Sequence, residues 1–162
     1  MHRSRRVARL VASVAFIVTA AAFAGGCGPP TLTVTPVATG LEIPWDLGFL
    51  PSGELLFTER PGRINALVSG QRRLLAAPTD VFAIGEGGMT GLAIDPDFAA
   101  NRRIYTCYNT SSSEIKIVVW TVDSTITSLT RVGTLLGGLP AASDGRHSGC
   151  RPRVGPDGFL WV

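Results

Sequence analysis

Pro51-Ser52-Gly53-Glu54-Leu55-Leu56-Phe57 and Pro156-Asp157-Gly158-Phe159-Leu160-Trp161-Val162 are two versions of one phrase, a Pro-x-Gly turn that runs straight into an apolar strand. A third turn, Asp95-Pro96-Asp97-Phe98, follows the apolar run Gly91–Ile94 and precedes Arg103–Tyr108, a segment rich in β formers. Proline presets the turn dihedral and glycine supplies the positive φ, so each phrase marks a chain reversal and not a helix. Around the first, Leu47–Leu50 is a buried-type run and Glu54–Glu59 a strand. Pro61-Gly62-Arg63 then turns the chain into a third strand, Ile64–Val68. Around the second, Ser111-Ser112-Ser113 is a loop, followed by the alternating strand Ile115–Val122. The units begin near positions 51, 95 and 156, a period of about 45–60 residues. Repeats of that length, each a small antiparallel meander, predict an all-β fold of propeller blades. No helix is predicted after the N-terminal leader.

Two units and a fraction fit between Thr31 and Val162, whereas a closed propeller takes roughly 4–8. The chain also stops inside an apolar strand, at Trp161-Val162, an edge that complete proteins avoid. The expectation is therefore the front portion of a longer protein.

The leader sets the address. Arg3, Arg5, Arg6 and Arg9 precede an apolar run from Leu10 to Ala24, and the first acidic residue is Glu42. The run is short of the roughly 20 residues that span a membrane, and its basic start and small-residue end read as a signal helix for export. Ala24-Gly25-Gly26-Cys27 resembles a bacterial lipobox, which makes Cys27 the candidate lipidation site. An ordinary signal with a chance cysteine is the alternative, and Ser4-Arg5-Arg6 leaves the twin-arginine and general routes both open. Residues 1–27 are thus assigned to the leader, 28–44 to a Thr- and Pro-rich tether, and 45–162 to the incomplete β domain. An exported protein anchored by lipid, on the cell surface or in the periplasm, is the expected location, and otherwise a secreted one.

Without the leader the charge changes sign. The four leader arginines leave 11 basic against 12 acidic residues, a net −1 in place of +3. The basic balance belongs to the leader, so no nucleic-acid partner follows, and contact with a membrane is expected only through the lipid anchor. Beyond Cys27 two cysteines remain, Cys107 and Cys150. In an oxidising compartment the pair suits a disulfide closing a 44-residue loop, worth about 4 kcal/mol in the chain-entropy model. A metal site of Cys107, His147 and Cys150 is the alternative, without any paired-cysteine motif to support it.

Three stretches together resemble the soluble pyrroloquinoline-quinone (PQQ) dependent sugar dehydrogenases, the glucose/sorbosone dehydrogenase family. They are Leu41-Glu42-Ile43-Pro44-Trp45-Asp46-Leu47 running into Thr58-Glu59-Arg60-Pro61-Gly62-Arg63, then Gly85-Glu86-Gly87-Gly88-Met89-Thr90-Gly91-Leu92-Ala93-Ile94-Asp95-Pro96-Asp97-Phe98, and finally His147-Ser148-Gly149-Cys150-Arg151 followed by Gly155-Pro156-Asp157-Gly158. Each is weak alone; their order and spacing are specific. The resemblance implies a six-bladed propeller, of which this chain carries the first two to three blades. It implies oxidation of an aldose at the anomeric hydroxyl to a lactone, with PQQ and calcium as cofactors and an external electron acceptor.

The same resemblance makes His147 the catalytic base. An imidazole with an ordinary pKa near about 6.5 suits proton abstraction at neutral pH, although a loop histidine with a structural hydrogen bond is the bland alternative. Glu86 stands where some members have a sugar-contacting glutamine, and Arg146 where an aspartate occurs. Both are candidate substrate-binding residues, expected to face each other as an ion pair unless they are simply two solvated charges. Arg60 and Arg63 bracket a Pro-Gly turn and are candidate cations for the quinone carboxylates unless they are simply solvated, and Arg151 is a candidate brace of the histidine loop. Asp95 and Asp97 invite a calcium reading, but Asp-Pro-Asp is first a turn. The metal and most quinone ligands of the family lie in later blades, so the 162 residues alone are expected to be inactive. A non-catalytic carbohydrate- or protein-binding propeller and a calcium-dependent lactonase-type hydrolase are the competing classes, which fold alone does not separate.

Overall fold

Each repeat of the turn phrase becomes the reversal between the first and second strands of a sheet. In the computed structural model, which describes residues 31–162 apart from Ser112, the first sheet comprises β1 (Pro44–Phe49), β2 (Leu55–Glu59), β3 (Arg63–Val68) and β4 (Gln71–Ala76). They pair antiparallel in sequence order, 1-2-3-4. The second sheet repeats the meander with β5 (Met89–Ile94), β6 (Arg103–Ser111), β7 (Glu114–Val122) and β8 (Leu129–Pro140). A hairpin of β9 (Arg153–Val154) and β10 (Leu160–Trp161) begins the phrase a third time. Gly53 and Gly158 occupy equivalent turns with φ of 101° and 79°. The described fold is all-β, and none of its sheets closes on itself.

Three elements depart from the sequence reading. The turn at Asp95–Phe98 continues into one helical turn, α1 (Phe98–Asn101), so the expectation of no helix is corrected. The Asp95 side chain accepts the Asp97 amide at 2.9 Å and starts the turn, and Phe98 anchors it in the core. β4 and β8 carry no apolar alternation because they are outer strands, exposed along much of their length. Their Gln71-Arg72-Arg73 start and Gly133, Gly137 and Gly138 blunt an edge that would otherwise invite pairing. The expected leader, signal helix and lipidation site Cys27 fall outside the described residues. Among the described residues, no helix is long and apolar enough to cross a membrane.

Alternation along β6 and β7 gives the second sheet two buried faces. Ile104, Tyr108, Val118, Trp120 and Val122 face the first sheet and pack with Leu56, Ile64, Ala66 and Leu75. On the other face, Cys107, Ile115 and Ile117 gather Cys150, Leu139 and Leu160 into a smaller cluster. The disulfide joins Cys107 to Cys150 across this second face, with 6.0 Å between the Cα atoms.

The first strands of the successive sheets meet at Asp46 on β1. Its side chain is only 4% exposed, and burial alone would raise its pKa. Arg153 on β9 reverses that with two bonds, Nη2 to Oδ1 at 2.7 Å and Nη1 to Oδ2 at 2.9 Å. The Leu92 amide on β5 adds a third at 3.0 Å and the Leu47 amide a fourth, so the carboxyl sits below its ordinary range. Arg153 in turn donates to the Leu92 carbonyl at 2.7 Å. One ion pair thereby ties β1, β5 and β9, across 107 residues of sequence. Replacing Asp46 by alanine should cost about 2–4 kcal/mol, since the arginine and the Leu92 amide both lose their acceptor. A urea midpoint measurement on Asp46→Ala checks this; an unchanged midpoint would refute the role.

Candidate functional site

Two loops bring the predicted residues together. The first, residues 77–88, links β4 to β5 and is pinned along its length. Near its start, Asp80 accepts from Lys116 Nζ at 2.8 Å, Arg131 Nη1 at 2.9 Å and the Tyr108 hydroxyl at 3.2 Å. At its end, Asn109 holds the Gly88 amide through Oδ1 at 3.1 Å and takes the Phe82 amide on its backbone carbonyl. Burial pushes the Asp80 carboxyl up, but its two cations outweigh that and hold it at about 2.

Arg60 closes the loop from the first sheet. Its guanidinium donates to the carbonyls of Gly85 and Gly87, and its own carbonyl accepts the Met89 amide at 2.9 Å. One nitrogen of the guanidinium, Nη1, thus helps to shape the Gly85-Glu86-Gly87-Gly88 turn.

The second loop, residues 141–152, carries the histidine. Its amide at Ala141 bonds to the Ser113 carbonyl, and Cys150 ties its far end to β6. His147 is exposed and lies at φ +53°, a left-handed conformation more often taken by His, Asn and Asp than by other non-glycine residues. Ser148, beside it, is fully buried, and its hydroxyl bonds the Arg146 carbonyl at 3.3 Å.

The loops touch through their glycines. Gly85 and Gly145 lie at φ +56° and +76°, and a Cβ on Gly145 would collide with the Ile84 carbonyl oxygen. The Glu86 amide bonds the Gly145 carbonyl at 3.0 Å, and the Glu86 carboxylate accepts the His147 amide at 3.2 Å. Glu86 and His147 are thus adjacent although 61 residues apart. Arg146 goes elsewhere. Its Nε lies 3.6 Å from Asp144, whose other oxygen takes the Arg146 amide at 3.0 Å. The expected Glu86–Arg146 ion pair is corrected, because a carboxylate two residues away captures the arginine first.

Arg151 is 77% exposed on its side chain and stands 3.9 Å from Asp46, while Arg153 makes the close bidentate contact. The bracing role anticipated for Arg151 falls mainly to Arg153. Asp46, Arg153, Asn109 and Asp144 were not singled out from the sequence. Only Asp46 lay inside a quoted motif, and a charged residue amid Pro-Trp and Leu was the signal that could have found it.

Calcium does not fit the described residues. No group of three His, Cys, Asp or Glu side chains among them could hold a metal ion, and Asp95 is taken up by the Tyr105 hydroxyl and the Asp97 amide. Of the cations beside the Pro-Gly turn, Arg60 directs Nη1 to loop carbonyls and Arg63 pairs with Glu42 and Glu59, while Arg151 is largely exposed beside the histidine loop.

Residues 41–162 match the family model for glucose/sorbosone dehydrogenases, and the chain belongs to that family. Its relatives include the aldose sugar dehydrogenase YliI of Escherichia coli, 30% identical over 143 residues, which cover 83% of this chain and 38% of YliI. Among solved structures, the PQQ-bound aldose sugar dehydrogenase of Streptomyces coelicolor superposes with a TM-score of 0.72 at 31% identity, covering 82% of this chain and 42% of that one. A putative glucose dehydrogenase of Thermus thermophilus gives a TM-score of 0.69 at 38% identity over 76% of this chain and 37% of its own. The chain spans less than half the length of each.

Two outcomes test the loop architecture. Gly145→Ala should push the loops apart and raise hydrogen exchange of the Glu86 amide by about tenfold or more, leaving the Ile104 and Val118 amides protected. Asp80 is ionised in the fold well below the ordinary carboxyl value of 3.8, so its contribution is complete above that value and lost as pH falls toward 2. The difference in urea midpoint between the parent and Asp80→Asn should accordingly be constant near neutrality and shrink below about pH 4.

Proposed function

We propose that the protein to which these residues belong oxidises an aldose at its anomeric hydroxyl, yielding the lactone, with PQQ as the bound oxidant and an external acceptor to reoxidise it. The observation that carries the reading is His147. An exposed imidazole stands on a left-handed backbone turn, held by a disulfide three residues away and by Glu86 across the loop contact. Unfavourable backbone held in place by its surroundings is common at active sites. Here it sits within the family match.

In this reading His147 accepts the proton of the anomeric hydroxyl. PQQ, when bound, supplies a two-electron acceptor for the hydrogen lost from the anomeric carbon. Calcium is expected for the family, and no step through either group is assigned to the described residues. The whole protein is proposed to be a six-bladed propeller, exported and anchored through Cys27, in which residues 41–162 contribute the base and its bracing loops.

The purified 162-residue chain should reduce no dye when given PQQ, calcium and an aldose; quinone-dependent turnover would overturn that part. A chimera carrying residues 41–162 in place of the matching portion of YliI should be active. In it, His147→Ala should lower kcat by about 10²–10⁴, the range of a lost general base. A PQQ-loaded chimera without turnover, or an alanine variant as fast as its parent, would sink the proposal.

A further inference from the structure

Glu86 is a candidate sugar contact, but its bonds point to another task. We infer that Glu86 is the positioning residue that sets the backbone of the His147 turn. Successive backbone amides of a turn can face a common concavity, a small anion nest. Here two carboxylates of the protein itself fill it. Asp144 Oδ1 takes the Arg146 amide at 3.0 Å, and Glu86 Oε2 takes the His147 amide at 3.2 Å. Asp144 belongs to the same turn and moves with it. Glu86 comes from the other loop, which is fixed independently by Arg60 and Asn109.

The second contact makes the arrangement reciprocal. The Glu86 amide donates to the Gly145 carbonyl at 3.0 Å, so Glu86 grips the turn by its backbone and its side chain at points two residues apart. The two bonds run in opposite directions and together fix the orientation of the turn as well as its distance. Its orientation determines where the imidazole projects. Misplacement of a reacting group by about 1 Å can cost 10²-fold in rate, so such a grip bears directly on proton abstraction. Arg146 does not compete for the carboxylate, being paired with Asp144. The catalytic meaning of this placement rests on the proposed role of His147; the bond itself does not.

The test is made on the 162-residue chain by nuclear magnetic resonance, with Glu86→Ala and Glu86→Gln. The alanine variant should raise hydrogen exchange of the His147 amide at least tenfold and shift its imidazole resonances. The Asn109 amide and the urea midpoint should stay unchanged. Glutamine keeps an acceptor oxygen in the same place and should restore the His147 exchange to within about threefold of the parent. Unchanged His147 exchange in the alanine variant overturns the inference. So does a glutamine variant as impaired as alanine, or a fall in midpoint large enough to account for the exchange. Should the amide respond as described while His147→Ala leaves the chimera active, the positioning bond stands and the proposed reaction falls.

Discussion

A carboxylate removed from water has to recover several kilocalories per mole of lost solvation, and that requirement at Asp46 dictates how the repeated meanders come together. The residue sits where the first strands of three consecutive units approach. Its four bonds come from β1 itself, from β5 and from β9. Apolar contacts between the sheets are tolerant of small slips, whereas a bidentate arginine is not. Leu56, Ile64 and Trp120 supply cohesion, and the Asp46–Arg153 pair supplies register. With the strands indexed in this way, the loops at 77–88 and 141–152 emerge close enough for Gly85 and Gly145 to touch.

The candidate site is therefore built by supports that share little sequence proximity. Arg60 shapes one loop from the first sheet, Asn109 holds the same loop from the second, and Cys107 reaches through the disulfide to the other. His147 itself makes few contacts and stays exposed. Its conformation is imposed by neighbours, which is the economical way to present a reactive side chain without burying it.

Legibility in the sequence followed burial. β2, β3, β6 and β7 announce themselves because they are inner strands with branched and aromatic side chains between clear turns. β4 and β8 do not, because an outer strand has no continuous apolar face to display, and α1 is one turn long and lies under a turn motif. At the site, His147 and Glu86 were legible only through resemblance to a family. No periodicity relates residues 61 positions apart. The bond partners were harder still. Arg146 could be expected to seek Glu86 on charge alone, but the Asp-Gly-Arg turn places Asp144 nearer, and proximity along the chain wins. Arg151 drew notice through its motif, while two residues further on Arg153, on the inner side of β9, found the buried acid.

The 107-residue span of the Asp46–Arg153 contact has a consequence for how the chain is made. During synthesis both four-stranded sheets are complete once Pro140 has emerged, and each can form from neighbouring strands alone. The histidine turn cannot take its final shape then, because Cys150 and Arg153 are still to come. Assembly of the site is thus the last event in this stretch of polypeptide. Until the bridge closes Cys107 is a thiol awaiting its partner, and pairing it with any other cysteine would leave the histidine loop without its tie to β6.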